Sequence, residues 1–166
     1  METERLLFRP YEGHDFDFLH TLLTDPDMIR YIGKGQVKDR KGSEDFYQWI
    51  QETYKKGRFY GLQVMVRKSD GERIGHAGLV PQMINDQEEV EVGYWIRPES
   101  WGQGYASEAA SSLVKVGLKH LKLPKLFSLI QKGNSPSMRI AEKAGMTCAE
   151  VSVRQGREVY IFSRTS

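Results

Sequence analysis

Trp101-Gly102-Gln103-Gly104-Tyr105-Ala106-Ser107 is the stretch on which the fold turns. It follows Glu89 to Ile96, where Glu89 and Glu91 alternate with Val90 and Val92, the period of a strand with one polar face. It precedes Ala106, Ala109, Ala110, Leu113, Val114, Gly117 and Leu121, an apolar stripe that predicts a long helix from about Gly104 to Leu121. Two glycines at such a junction let main-chain amides turn outward and let a ligand approach closely. The unpaired amides of a helix start add partial positive charge. Together these features hold phosphate groups without a lysine. Gly-x-Gly also fits a plain tight strand-to-helix connection, so the tripeptide alone leaves both readings open. A dinucleotide fingerprint does not fit. It needs glycine where Ser107 stands and an acidic residue about 20 positions on, where the chain has Leu123, Pro124 and Lys125. A P-loop does not fit either, because Gly33-Lys34-Gly35 lacks the Gly-Lys-Ser/Thr ending.

Beyond the helix, Lys125 to Gln131 reads as a strand, and Ser135-Pro136 opens a helix that Gly145 closes. Thr147 to Val153 and Glu158 to Arg164 form a hairpin across Gln155-Gly156. On the N-terminal side, Phe59 to Arg67 and Arg73 to Val80 form a hairpin around Ser69-Asp70-Gly71, followed by a loop from Pro81 to Gln87. Earlier come a short strand at Leu6 to Arg9 and a helix with Phe16, Leu19, Leu22 and Leu23 on one face. A short helix at Asp27 to Ile32 follows, then one capped by Ser43 with Phe46, Trp49, Ile50 and Tyr54 at helical spacing. Cys148 opens a strand and is expected to be a small buried hydrophobe. This order predicts an α/β fold: a mixed sheet of about six or seven strands flanked by helices, antiparallel at both ends.

The 166 residues suit a single domain, expected over 1–166. Lys+Arg 24 against Asp+Glu 22 leaves +2, which argues against a nucleic-acid partner. One cysteine excludes an internal disulfide framework and a cysteine-based zinc site. No apolar stretch approaches the roughly 20 residues of a membrane span, and no membrane partner is expected. Met1-Glu2-Thr3-Glu4-Arg5 has no apolar run behind it, so no signal peptide is read and a cytoplasmic location is expected. Assembly is left open, with room for a homodimer.

The segment Glu91 to Ala106 resembles the acetyl-CoA-binding core of the GNAT N-acetyltransferase superfamily, whose pattern is Gln/Arg-x-x-Gly-x-Gly/Ala. Gly104 and Ala106 match its last two fixed positions, and Trp101 stands where Gln or Arg is usual. Asn134-Ser135-Pro136-Ser137, with Gly145-Met146 closing that helix, resembles a second block of the branch that contains ribosomal-protein alanine N-acetyltransferases, Met146 replacing Phe. Glu4 to Pro10 and Asp25 to Gly33 are similar to the same branch.

The resemblance implies direct transfer of an acetyl group from acetyl-CoA to an amine, with no metal. Main-chain amides across Gly102, Gln103, Gly104, Tyr105, Ala106 and Ser107, just after Trp101, would hold the pyrophosphate. The strand at Tyr94, Trp95 and Ile96 would part from Lys125 to Gln131 and pair with the pantetheine arm. An N–H there would stabilise the oxyanion. Asn134 would hydrogen-bond the pantetheine region.

The amine must be neutral to attack. An α-amine, at about 7.7–8.0, is roughly a tenth neutral at pH 7, whereas a lysine at about 10.4 needs real help. Glu91 is the candidate for carrying the proton away through water, with Glu89 on the same strand face behind it. A solvated strand face is the alternative for both. Ser137 is the family-matched donor to the departing thiolate, with a helix cap as its alternative. His76 reads as a core or surface histidine. Two other functions compete: a CoA-binding sensor or interaction protein without turnover, and an acetyltransferase for small amines such as polyamines or antibiotics.

Overall fold

The structure is a computed structural model that describes residues 1–166. Five helices accompany the sheet: α1 (Phe16–Thr24), α2 (Pro26–Ile29), α3 (Arg40–Thr53), α4 (Tyr105–Lys115) and α5 (Ser135–Lys143). The strands are β1 (Leu6–Pro10), β2 (Gly61–Arg67), β3 (Arg73–Ile84), β4 (Gln87–Ile96), β5 (Lys125–Gln131), β6 (Thr147–Arg154) and β7 (Arg157–Thr165). All seven lie in one sheet, in the order β1-β2-β3-β4-β5-β7-β6. Neighbours are antiparallel except β4 and β5. Parallel neighbours require a crossover, and α4 supplies it. The expected mixed sheet is therefore observed.

The sheet is covered on both faces. On one, α1 and α3 pack Leu19, Leu23 and Ile50 against Leu62, Val64 and Val80. On the other, α4 and α5 pack Ala109, Leu113 and Ala141 against Leu79, Val92 and Ile96. Residues of β4 thus look alternately toward two different helical layers.

Several boundaries differ from the sequence expectation. Pro81 to Gln87 is not a loop. β3 continues to Ile84 and turns through Asn85 and Asp86, both at positive φ, the two-residue turn that suits a hairpin. Pro81 is tolerated because β2 pairs no further than Gly61 opposite Leu79, so the missing N–H has no neighbour to serve. Asp39, not Ser43, caps α3; its side chain accepts from the Gly42 N–H at 2.7 Å. Ser43 is buried inside the helix and meets Nδ1 of His20 at 2.6 Å, which ties α3 to α1. The second helix is shorter than expected, since α2 ends at Ile29. The last turn beyond α4 widens, with the Leu121 N–H reaching the Val116 carbonyl at 3.0 Å. Cys148 is exposed, because β6 is the outermost strand with no layer over it.

Asp15, just ahead of α1, fastens this helical layer to the sheet. It is fully buried, takes two bonds from Arg9 of β1 at 2.6 and 2.8 Å, and a third from Arg73 of β3 at 3.0 Å. Burial alone would raise its carboxyl, but Arg9, the Glu12 N–H and Arg73 hold it well below the usual carboxylate range. Its stabilising contribution is therefore present above about pH 4 and fades as the pH falls below that. Asp15→Asn should cost about 2–3 kcal/mol in urea unfolding at pH 7, less than a fully buried pair because both arginines keep part of their surface in water. The deficit should shrink as the pH is lowered toward 3.

Candidate active site

The loop between β4 and α4 needs left-handed backbone at two points. Gly102 has φ 75° and Gly104 has φ 81°, a region that only glycine enters freely. A Cβ on Gly102 would meet nothing, and one on Gly104 would stand 3.4 Å from the Arg5 guanidinium. Trp101, Gly102, Gln103 and Gly104 are exposed, Ala106 and Ser107 are half-buried, and Tyr105 is buried. From Gly102 through Ser107 no main-chain N–H donates to a main-chain carbonyl; the first that does is Glu108, to Gly104 at 3.1 Å. A run of free amides thus lines the start of α4, and an anion with several oxygens fits it.

Beside this run the sheet opens. β4 and β5 share a single paired position, Glu91 with Phe127. The next rung is replaced by a side chain: the Ser128 hydroxyl donates to the Val92 carbonyl at 2.8 Å. Further along, the Trp101 indole N–H donates to the Ile96 carbonyl at 2.5 Å. The Arg97 N–H bonds Ile74 of β3, so by antiparallel alternation the Trp95 main chain also serves β3. Tyr94 and Ile96 turn their N–H groups toward the opening. The expectation for Trp95 is corrected accordingly: its amide is already used in the sheet, and its ring packs on His76 with centroids 4.6 Å apart.

Glu91 lies opposite Val80 of β3 and so shares the α1–α3 face. It is partly buried, and burial pushes its carboxyl up to about 7 against the pull of Gln82, the Leu129 N–H and Arg154. A solvated strand face would not do this. Glu89 pairs opposite Gln82, one step farther from the opening.

Tyr94 lies on the other face. Its hydroxyl donates to the Ser137 carbonyl at 2.9 Å, and the Ser137 hydroxyl donates back to it at 3.2 Å. Burial raises the Tyr94 phenol to about 12, so it stays protonated. Asn134, rather than Ser137, caps α5, its side-chain oxygen accepting from the Ser137 N–H at 3.4 Å. The Ser137 hydroxyl is therefore free of capping duty. His76 is fully buried against the Tyr11 hydroxyl at 2.6 Å, and burial lowers it to about 3, a neutral core group.

Sequence reasoning overlooked the Tyr94 hydroxyl, Ser128 and Gln82. Ser128 carried a signal, since it interrupts the apolar run Leu126-Phe127 to Leu129-Ile130. The Tyr94 hydroxyl carried none, because its partner is 43 positions away in the chain.

Residues 5–147 match the family of acetyltransferase (GNAT) domains. YkkB of Bacillus subtilis (strain 168) is 33% identical over 165 residues, covering 99% of this chain and 94% of that one. Spermidine N(1)-acetyltransferase of Escherichia coli (strain K12) is 27% identical over 139 residues, 84% of this chain and 71% of that one. The crystal structure of a GNAT-family acetyltransferase from Bacillus anthracis superposes with a TM-score of 0.81 at 26% identity, over 99% of this chain and 97% of that one.

The raised Glu91 carboxyl has a signed consequence. The folded chain holds its proton more tightly than the unfolded chain, so this group costs stability as the pH rises from about 4.5 to 7. Glu91→Gln should stabilise the protein in thermal melts at pH 8 relative to its effect at pH 5. An equal effect at both would show that Glu91 is simply solvated.

Proposed function

The chain belongs to the GNAT acetyltransferase family, and we propose that it forms one domain over residues 1–166 that moves the acetyl group of acetyl-CoA to a protein N-terminal α-amine. At the coarser level it is an acetyl-CoA-dependent N-acetyltransferase. The observation that carries the proposal is the run of free amides from Gly102 to Ser107 beside an unpaired stretch of β4.

Acetyl-CoA, when bound, supplies an activated thioester. The amides of Gly102 to Ser107 hold its diphosphate, and the glycine turns keep that surface clear of side chains. The Tyr94 and Ile96 N–H groups face the pantetheine arm along the opening. One of them meets the charge that develops on the thioester oxygen, where a preorganised donor is worth most. Asn134, whose side-chain oxygen accepts from the Ser137 N–H, has its amide NH2 left to donate to the same arm.

Glu91 receives the acceptor's proton from the α1–α3 side, and the Ser137 hydroxyl, oriented by Tyr94, serves the thiolate from the α5 side. Proton removal and proton delivery thus stand on opposite faces of β4. Acidity supports this acceptor class. A carboxylate at about 7 lies within about one unit of an α-amine at about 7.7–8.0, but more than three units below a lysine-type amine at about 10.4. Proton transfer from the second kind starts at a disadvantage of over a thousandfold. A polyamine acceptor is the second reading, favoured by the spermidine-acetylating relative.

Thiol release should be measured with acetyl-CoA across N-terminal peptides, polyamines and aminoglycosides. Turnover is expected with peptides, with an acidic limb near pH 7. Spermidine outpacing every peptide would overturn the acceptor assignment, and binding without turnover on any amine would favour the sensor reading. Glu91→Gln should lower kcat about 10- to 100-fold with little change in KM for acetyl-CoA. Gly104→Asp should sharply weaken acetyl-CoA binding in calorimetry, since it strains the left-handed turn that holds these amides outward and sets a carboxylate beside the Arg5 guanidinium.

A further inference from the structure

The opening Glu4-Arg5-Leu6 motif has no part in the chemistry above, yet Arg5 reaches across the fold to the amide-lined turn. Its Nη1 donates to the Gln103 carbonyl at 2.9 Å and its Nε to Glu108 Oε1 at 2.8 Å. Its guanidinium carbon lies 4.3 Å from the centre of the Tyr105 ring. The Arg5 main-chain N–H reaches Glu108 Oε2 at 3.0 Å, and the Thr3 hydroxyl reaches the same oxygen at 2.5 Å.

We propose that Arg5 is a positioning residue for the diphosphate cradle, an inference that rests on the acetyl-CoA reading of that turn. Two physical effects support it. A trans peptide is planar, with C=O and the following N–H pointing in opposite directions. Tying the Gln103 carbonyl to Arg5 therefore aims the Gly104 N–H away from Arg5, toward the open side of the turn. The second effect is electrostatic. Glu108 sits in the first turn of α4, where an unpaired carboxylate would repel an incoming diphosphate. Arg5 pairs with that carboxylate and cancels its charge, so the partial positive charge of the helix start is left to the ligand. Arginine suits the task because one planar fork serves a carbonyl, a carboxylate and an aromatic face together.

The test compares KM for acetyl-CoA with KM for S-acetylpantetheine, a thioester that lacks the diphosphate, using the best acceptor of the panel. In the wild type, acetyl-CoA should be strongly preferred; no preference would refute the cradle itself. Given that preference, Arg5→Met should raise KM for acetyl-CoA about tenfold, the effect of losing one charge-assisted hydrogen bond, with kcat held. Values for S-acetylpantetheine should not move. Arg5→Lys keeps a charge beside Glu108 but cannot also span to Gln103, and should give a rise of roughly threefold. An unchanged KM for acetyl-CoA, or an equal rise for both thioesters, would overturn the role of Arg5 while leaving the cradle standing. Should Arg5→Met not fold, Arg5→Lys decides by the same comparison: a rise confined to acetyl-CoA supports the role, and none refutes it.

Discussion

Everything at this site depends on where the ladder between β4 and β5 stops. Parallel strands ordinarily continue in evenly spaced hydrogen bonds. Here the Ser128 hydroxyl takes the Val92 carbonyl, and the two strands separate after Glu91 and Phe127. An unpaired strand edge inside a sheet is costly unless something satisfies it. The Ile96 carbonyl is met by Trp101, and on the proposed reading the amides of Tyr94 and Ile96 meet a ligand that supplies its own donors and acceptors. An extended amide-bearing arm has that chemistry, and a strand edge recognises it as another strand.

The same break sets the electrostatics. Glu91 is the residue of β4 that pairs with β5, half-sheltered between two strands, and burial raises its carboxyl close to neutrality. Tyr94, three residues on, points the other way and couples to Ser137 at the start of α5. Because successive strand residues face opposite layers, a carboxylate and a hydroxyl pair stand on opposite sides of one strand without competing for space. The free amides at the start of α4 stand beyond the end of the same strand, so one short stretch of chain places the free amides, the Glu91 carboxylate and the Tyr94 hydroxyl.

Legibility differed by the range of the interaction involved. Glycines at 102 and 104, the stripe from Ala106 to Leu121, and the hairpin at Gln155-Gly156 are local signals and read correctly as turn, helix and hairpin. Ser43 misled because it is a good cap by type, while Asp39 was available four residues earlier and Ser43 was needed by His20. Pro81 misled for a similar reason: it breaks a central strand only where a neighbour would use its N–H, and β2 ends before it. Cys148 was misjudged because residue type does not say which strand lies outermost.

Local order in the chain therefore determined the alternation of strands and helices, the glycine turn before the long helix, and Glu91 as a carboxylate on the strand leading into it. Backbone preference and hydrophobic period act over a few residues, so a linear reading captures them. Tertiary structure alone decided that β4 and β5 part, that Trp95 spends its amide on β3, that Tyr94 meets Ser137, and that Arg5 braces Gln103 and Glu108. Those facts join residues far apart in sequence, and the shift of the Glu91 carboxyl exists only once neighbouring strands exclude water from it.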